Sequence, residues 1–295
     1  MVKRLTIMLF AICIFISIAG CSNSAGKITI GFVPSNNPEN MLSNFKPISA
    51  YLEKEMKVTI DVIIPDDYKG LIDGMKQKKI DIGWYGAFSY ITAEKEIDLE
   101  PLVIQYRKGF GTSYHSLIIT NRKSGINKVE HLKGKRFAFV DPESTSGFII
   151  PSALFMSRNI EIQKYFSEII YSGTHNDVVL DVLSGNADAG AIEDLTYYKM
   201  ISDGKFIEDD LPIIWKSDDI PGSPFVCRAD IDEHLKEKFK STMLNISKKD
   251  PEAVKKFDSR IEKYVEFDDS LYNGIRNIAT ILGDDFVTQK FMSKK

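Results

Sequence analysis

The chain has 295 residues, of which 43% are hydrophobic and 27% are charged, values that are typical of globular proteins. This composition excludes a disordered chain, a fibrous repeat and a protein that crosses the membrane many times. The formal net charge of −3 argues against a nucleic-acid-binding protein, which needs a net basic surface.

The first 20 residues are predicted to be an export signal. Lys3 and Arg4 precede an apolar stretch, residues 5–18, and an Ala-Gly pair comes directly before Cys21. This pattern is typical of a secretory signal rather than of a transmembrane helix. The cysteine after Ala-Gly resembles the lipobox of bacterial lipoproteins, in which the thiol receives a diacylglycerol and becomes the new N-terminus. We therefore predict lipidation at Cys21; the alternative is an ordinary signal peptide that contains a cysteine.

Residues 21–26 are predicted to tether the lipid to the folded part of the chain. Removal of the signal leaves 275 residues, enough for two lobes of about 100–150 residues each. Cys13 departs with the signal and Cys21 carries the lipid, so Cys227 remains and no intramolecular disulfide is expected. Cys227 lies in a strand-like run and is predicted to be a buried small hydrophobic residue rather than a nucleophile.

Short strands alternate with amphipathic helices along the rest of the chain. We predict strands at residues 27–33, 58–64, 80–84, 137–140, 169–171 and 188–192. We predict helices at residues 47–56, 68–78, 148–158, 177–183, 233–246, 251–265 and 270–282. Strands that alternate with helices in this way predict an α/β fold with mostly parallel sheets flanked by helices.

Two stretches are predicted to cross between the lobes as hinge strands. Residues 113–120 lie between the first and second groups of strands, and residues 220–228 carry Pro-Gly-Ser-Pro before another strand. A chain that leaves a lobe by one strand and returns by another creates a ligand-binding groove between the lobes. We therefore predict a discontinuous first lobe, residues 27–116 plus 226–295, and an inserted second lobe, residues 117–225.

The most informative motif is Ser-Thr-Ser-Gly at residues 144–147, between a predicted strand and a predicted helix. Ser144, Thr145 and Ser146 offer O–H donors beside backbone N–H groups at the helix start, and the helix dipole adds partial positive charge. Such a site can bind a phosphate-like oxyanion without a metal. Gly147 is expected to remove a side chain where the ligand approaches the backbone. Simple N-capping by Ser144 or Ser146 is the alternative reading.

Other polar side chains fall near the predicted ends of strands and helices. His175 precedes a helix and can donate to a phosphate oxygen, although a capping or surface histidine is the commoner case. Three tyrosines can each offer a phenolic O–H: Tyr68, Tyr85 and Tyr114. Glu193 and Asp194 either hold a cationic ligand group or cap the next helix. The four histidines and three cysteines show no metal-binding or catalytic spacing, so we predict no metal, no cofactor and no catalytic residue.

Six features of the sequence are informative when they are taken together in chain order. They are residues 66–75 (DDYKGLIDGM), 81–86 (DIGWYG), 114–119 (YHSLII), 141–148 (DPESTSGF), His175, and 214–224, which contains IWKS and IPGSP. In this order they resemble the phosphonate-type substrate-binding proteins of ABC transporters, over nearly the whole mature chain. The resemblance implies a two-lobed type II periplasmic-binding-protein fold that closes on phosphonate, phosphate or phosphite.

The resemblance also implies which residues hold the ligand. In that family two tyrosines, the Ser-Thr-Ser loop and the histidine bind the phosphonyl oxygens, which carries over to Tyr68, Tyr114, Ser144, Thr145, Ser146 and His175. Members that bind aminoalkyl phosphonates carry a carboxylate within Pro-Gly-x-Pro, where this chain has Ser223. A second carboxylate maps to Glu193 or Asp194. The loss of one carboxylate makes phosphate, phosphite or a small alkyl phosphonate at least as good a ligand as 2-aminoethylphosphonate.

These observations predict a monomeric, extracytoplasmic, lipid-anchored solute-binding protein of an ABC importer. It would deliver a phosphorus oxyanion to the transmembrane permease subunits, in a periplasm or at a cell surface. Two alternatives remain open from the sequence. One is a tethered sensor that uses the same fold without transport, and the other is an enzyme that acts on a phosphonate.

Overall fold

The computed structural model of the chain describes residues 26–283. The predicted signal peptide, the lipidation site Cys21 and most of the tether lie outside the described residues. Within the described part, no helix has both the length and the apolar character needed to cross a bilayer.

Strands and helices alternate through most of the described chain. In chain order the strands are β1 (Lys27–Phe32), β2 (Thr59–Ile63), β3 (Ile82–Trp84), β4 (Leu99–Arg107), β5 (Ser113–Tyr114), β6 (Ser116–Thr120), β7 (Arg136–Phe139), β8 (Glu168–Tyr171), β9 (Ala189–Glu193), β10 (Ile213–Lys216), β11 (Ile220–Pro221), β12 (Pro224–Arg228) and β13 (Ile261–Glu266). The α-helices are α1 (Pro38–Met56), α2 (Tyr68–Lys76), α3 (Ala87–Ala93), α4 (Ile150–Ser157), α5 (Ile162–Tyr165), α6 (His175–Ser184), α7 (Asp194–Ser202), α8 (Glu233–Lys249), α9 (Pro251–Phe257) and α10 (Asn273–Leu282).

The first sheet has the strand order β13-β4-β12-β3-β1-β2. β1 pairs in parallel with β2 and β3, whereas the other pairings are antiparallel. Helices α1, α8 and α9 pack together and against this sheet. Their shared core is aromatic. The ring of Phe225 contacts those of Phe32 in β1, Phe45 in α1 and Phe239 in α8.

The second sheet has the strand order β10-β6-β9-β7-β8. β7 is parallel to β8 and β9, and β6 is antiparallel to β9 and β10. Phe137 and Phe139 of β7 pack against Phe166, which follows α5, and this forms a second aromatic core. Each sheet therefore has an aromatic cluster of its own within one continuous set of buried hydrophobic residues.

The two sheets are connected by a small antiparallel ribbon of β5 and β11. The chain passes from β4 through β5 into β6, and it returns from β10 through β11 to β12. Both predicted crossing stretches contain a strand of this ribbon. Such short, paired connections are the usual place for a hinge between two packed bodies.

The predicted α/β class is confirmed, but the sheets contain more antiparallel pairings than we expected. The parallel pairings come from the predicted strand–helix–strand units. The antiparallel pairings involve β4, β6, β10, β12 and β13, which adjoin the ribbon or lie at a sheet edge. The predicted burial of Cys227 is also confirmed, since its side chain is 1% exposed in β12.

Two local predictions were wrong. Residues 251–265 were expected to be one helix, but α9 ends at Phe257 and β13 pairs with β4 as an edge strand. The strand β4 itself was not anticipated, because its partners β12 and β13 lie more than a hundred residues away in sequence. α1 also starts earlier than predicted, at Pro38, where the Asn37 side chain accepts from the Asn40 amide and Pro47 lies inside the helix.

The aromatic core of the first sheet leads to a stability prediction. Phe225 is completely buried, so replacement by alanine leaves a cavity among its aromatic neighbours. We expect Phe225→Ala to lower the free energy of unfolding by about 3–5 kcal/mol in urea titrations. Ile281→Ala is the control, because Ile281 is 76% exposed and such surface changes cost less than about 0.5 kcal/mol. Equal losses for the two variants would contradict the described core.

Candidate functional site

The loop from Ser144 to Gly147 joins β7 to α4. A π-helical turn, Thr145–Ile149, runs directly into α4. Ser144 occupies its N-cap position, and its hydroxyl oxygen accepts from the Gly147 amide at 3.1 Å. The capping role that the sequence left open for Ser144 is therefore present. One hydroxyl is sufficient for a cap, so the hydroxyls of Thr145 and Ser146 are available for other contacts.

Gly147 is required by packing within the loop itself. A Cβ atom at this position would lie 2.6 Å from Val140 Cβ and 2.7 Å from Ser144 Oγ, closer than side chains approach in folded proteins. The glycine therefore makes room for Val140 and for the cap. The sequence suggested close approach of a ligand as the reason for this glycine, and packing within the loop is a second reason.

Two tyrosines reach the hydroxyl side chains of this loop. Tyr68, the first residue of α2, lies close to Ser144, and Tyr114, in β5, lies close to Thr145 and Ser146. They are 2% and 4% exposed. Burial raises the pKa of both phenols, so both keep their protons and remain donors at any physiological pH. We call these five side chains the hydroxyl cluster.

The same loop is held against the first sheet by backbone groups. The Phe88 amide, at the start of α3, donates to Thr145 Oγ1 at 2.8 Å, and a Cβ on Gly86 would lie 3.3 Å from that oxygen. From the second sheet, Ser116 Oγ donates to the Ser146 carbonyl oxygen at 2.6 Å. Thr145 Oγ1 thus accepts one bond and keeps its own proton to donate.

His175 is the first residue of α6 and is 2% exposed. Its Nδ1 lies 3.1 Å from the Glu193 amide nitrogen. Since a backbone N–H can only donate, Nδ1 accepts and the ring proton is on Nε2. Burial lowers the pKa of His175, partly opposed by the Glu193 carboxylate. The imidazole is therefore a neutral Nε2–H donor near pH 7.

Glu193 lies beside the hydroxyl cluster and faces a cavity between the sheets. Its carboxylate contributes to raising the pKa of Tyr68 and Tyr114. Its Oε1 accepts from Thr196 Oγ1 at 2.6 Å and from Asn36 Nδ2 at 3.4 Å. The cavity has a volume of about 370 Å³, and its wall includes Tyr114, Glu193 and Ser223. Of the hydroxyl cluster, Tyr114 lines this cavity, so the cluster and the cavity adjoin at that residue.

Two residues considered from the sequence point elsewhere. Tyr85 is fully buried in the first lobe, where its hydroxyl donates to Met75 Sδ at 3.0 Å. Asp194 is also fully buried, and its Oδ1 accepts from the His115 amide at 3.1 Å, next to the ribbon. Neither faces the cavity. The alternative helix-cap role is not observed either, because Glu193 occupies the N-cap position of α7 without a side-chain cap bond.

Sequence reasoning missed a contribution from the loop after β1. The Ser35 carbonyl oxygen accepts from the His175 amide at 2.9 Å, and Asn36 Nδ2 donates to Glu193 Oε1 at 3.4 Å. These bonds link the first sheet to the start of α6 and of α7. A signal was available, since ligands bind at the carboxyl ends of parallel strands in α/β sheets and this loop directly follows such an end.

The chemistry of the site is that of neutral hydrogen-bond donors. None of the hydroxyl cluster carries a charge, and His175 is neutral. Within residues 26–283, no group of three or more His, Cys, Asp or Glu side chains is arranged to hold a metal ion. The arrangement suits an acceptor-rich anion of small size.

The buried imidazole leads to a pH prediction. Because the folded-state pKa of His175 is lowered from about 6.5, the unfolded chain takes up a proton first. The ligand-free protein should be fully stabilised above pH 6.5 and should lose up to about 1.4 kcal/mol per pH unit below it. His175→Asn should flatten this dependence in urea titrations between pH 7 and 5. His131→Asn, on the exposed surface, should leave this pH dependence unchanged. If His131→Asn flattened it and His175→Asn did not, the dependence would not come from His175.

The sequence matches a protein-family model and several known proteins. The family model described as the periplasmic substrate-binding protein of phosphonate ABC transporters matches residues 30–272. The chain is 28% identical over 246 residues to the phosphonates-binding periplasmic protein of Escherichia coli, which covers 81% of this chain and 72% of that protein. It is 26% identical over 277 residues to a phosphate-import protein of Mycolicibacterium smegmatis, with coverages of 88% and 86%.

Solved structures show the same fold. The PhnD1 protein of Prochlorococcus marinus, in complex with methylphosphonate, aligns with a TM-score of 0.79 at 23% identity over 87% of this chain and 98% of that one. A binding-protein component of a Pseudomonas aeruginosa ABC phosphonate transporter aligns with a TM-score of 0.80 at 23% identity, with coverages of 91% and 94%. This chain has the type II periplasmic-binding-protein fold and belongs to the family of periplasmic substrate-binding proteins of phosphonate ABC transporters.

Proposed function

We propose that this protein is the extracytoplasmic substrate-binding component of an ABC importer and that it captures a phosphorus oxyanion between its two sheets. One observation carries the proposal: two tyrosines and the Ser-Thr-Ser loop, from distant parts of the chain, meet in one buried hydroxyl cluster. The proposed ligand contacts are Tyr68, Tyr114, Ser144, Thr145, Ser146 and His175, with Gly147 shaping the loop.

Neutral donors are sufficient for this task. A hydroxyl that bonds another hydroxyl can rotate its O–H toward an oxyanion without moving its oxygen. Hydrogen bonds to an ionised acceptor are shorter and about twice as strong as bonds between neutral groups. After removal of the signal, the chain has a net charge of about −5, so its overall field does not attract anions. The affinity must come from the local donors.

The ligand is proposed to be a phosphonate, phosphate or phosphite. All three present oxygens that accept hydrogen bonds, and the relatives in Escherichia coli and Mycolicibacterium smegmatis are named for phosphonates and phosphate respectively. Ser223 and Glu193 line the cavity beside the cluster. We propose that these two side chains, rather than Tyr85 or Asp194, select among substituents on phosphorus.

The binding step is proposed to be closure of two lobes. Residues 27–116 with 226–295 would move as one lobe, and residues 117–225 as the other, about the β5–β11 ribbon. The bond from the Phe88 amide to Thr145 Oγ1 and the bond from the His175 amide to Ser35 join residues on opposite sides of this boundary. Such bonds support a closed arrangement that removes the ligand from water.

The remaining partners follow from this role. We propose that a lipid on Cys21 holds the protein at the outer face of the membrane. The closed, monomeric protein would then deliver its ligand to the permease. Two acyl chains are enough for stable anchoring, whereas one gives only marginal binding.

The proposal predicts which ions bind and which hydroxyl they need. In thermal-shift and calorimetric measurements, the chain from Ser22 onward should bind at least one of phosphate, phosphite, methylphosphonate and 2-aminoethylphosphonate. Thr145→Val keeps the side-chain shape and removes the hydroxyl. A hydrogen bond to a charged group is worth about 1.5–3 kcal/mol, so the affinity should fall by about 10- to 150-fold.

The matched control is Ser157→Ala. Ser157 is exposed at the other end of α4, and its loss should leave the affinity unchanged. If none of the four ions raises the melting temperature at millimolar concentration, the oxyanion site is refuted. If Thr145→Val and Ser157→Ala bind equally well, the loop is not the site.

The cavity wall leads to a prediction about selectivity. With its side-chain amide oriented so that both ends are bonded, Gln105 donates to the Ser223 carbonyl oxygen at 2.9 Å, which fixes the backbone at this position. Ser223→Asp adds a carboxylate to the wall that Glu193 shares. The affinity for 2-aminoethylphosphonate relative to phosphate should rise about tenfold, equivalent to about 1.4 kcal/mol. Ser223→Asn, similar in size but neutral, should not change the ratio; an unchanged ratio for Asp would exclude this role of Ser223.

A further inference from the structure

Two buried hydrogen-bonding groups on the wall of the 370 Å³ cavity have no partner among residues 26–283. They are Ser35 Oγ and Arg107 Nη1, in side chains that are 6% and 4% exposed. Buried polar atoms are nearly always bonded in folded proteins, and each exception calls for an explanation. Both of these groups donate hydrogen bonds. Both residues line the same cavity, where a ligand atom that accepts a hydrogen bond would supply the missing partner.

Arg107 carries positive charge that its neighbours do not fully balance. Its Nε bonds Asp258 Oδ2 at 3.0 Å, and Arg260 Nε bonds Asp258 Oδ1 at 2.9 Å. Burial alone would raise the pKa of Asp258, but the two guanidinium groups lower it to about 2. One carboxylate therefore serves two arginines. A full positive charge is left in excess, together with the unpaired Nη1.

Ser35 brings the second donor close to the oxyanion contacts. Its carbonyl oxygen accepts from the His175 amide at 2.9 Å, which holds the residue beside the first turn of α6. Its hydroxyl is buried without a partner among the described residues, and the residue lines the cavity. A serine in this position loses its bonds to water on folding and recovers nothing from the described residues. A ligand atom that accepts a hydrogen bond would restore the loss.

The cavity is larger than a bare oxyanion requires. Its volume of about 370 Å³ exceeds the space that a single small ion or water molecule needs. The amides of Asn37, Asn40 and Asn44 also line it, and they offer polar contacts without net charge. The space therefore fits a polar organic group of several atoms rather than a methyl group.

We propose that the cavity binds the substituent of a phosphonate whose organic group carries a hydrogen-bond acceptor, a carboxylate above all. Ser35 Oγ and Arg107 Nη1 donate to that acceptor while the hydroxyl cluster holds the phosphonyl oxygens. The proposal rests on the proposed function and adds the class of substituent to it. The carboxylate of Glu193, on the same wall, opposes binding of a carboxylate substituent and favours an ammonium group. The excess charge of Arg107 and Arg260, and Lys205 on the same wall, outweigh that single carboxylate.

Three phosphonates of similar length test the proposal by calorimetry: propylphosphonate, 3-aminopropylphosphonate and 2-carboxyethylphosphonate. The carboxyethyl compound should bind about tenfold more tightly than the propyl compound, and the aminopropyl compound no more tightly. Equal or weaker binding of the carboxyethyl compound, or tighter binding of the aminopropyl compound, would overturn the subsite. If phosphate and methylphosphonate also fail to bind, the proposed function is wrong; if they bind, only the subsite is wrong.

Two serines provide a matched pair of variants. Ser35→Ala should reduce the preference for 2-carboxyethylphosphonate over methylphosphonate by about tenfold. Ser152 in α4 is also fully buried with an unpartnered hydroxyl among the described residues, but it is not on the wall of this cavity. Ser152→Ala should leave the preference unchanged. The same effect in both variants would show that the loss is structural and would refute the role of Ser35. Arg107→Lys keeps the charge and removes Nη1, and it should also reduce the preference.

Discussion

The proposed site has to stabilise an anion with donors that carry no charge. Five hydroxyls and one neutral imidazole can do this only if they converge at hydrogen-bonding distance and exclude water, because a single neutral hydrogen bond contributes little in water. Convergence places demands on the fold. Tyr68 must begin α2, Tyr114 must lie in the ribbon, and the Ser-Thr-Ser loop must turn from β7 into α4. Each element thus places one part of a donor set that functions only as a whole.

The contacts that would hold the ligand also join the two sheets. Thr145 Oγ1 accepts from the Phe88 amide, and Tyr68, on the same side as Phe88, lies close to Ser144. In the proposed mechanism, ligand capture and closure would draw on the same atoms, and a ligand would favour closure by as much as it prefers the closed state. The neutral state of His175 fits this scheme. Its Nδ1 is occupied by the Glu193 amide, so its one proton is directed through Nε2.

The hydroxyl loop could be predicted because its structure is local. A serine cap, a glycine three residues later and a following helix are determined by residues within one turn of each other. The edge strand β13 could not be predicted in the same way. Residues 261–266 show no clear alternation between buried and exposed positions, and their extended conformation depends on pairing with β4, more than 150 residues away. Pairing at that distance overrides a weak local preference.

The sequence by itself determined the α/β class, the two stretches that connect the sheets, and a loop of three hydroxyls at a helix start, since composition and periodicity carry this information. The tertiary structure decided which candidates share one space. Glu193 and Asp194 are adjacent, yet one faces the cavity and the other bonds His115 beside the ribbon. Tyr85 has the same local setting as Tyr68 but donates to Met75 in the core. Neighbouring side chains at a strand end point to opposite faces, and only the packing of the second sheet against the first determines which face becomes the cleft.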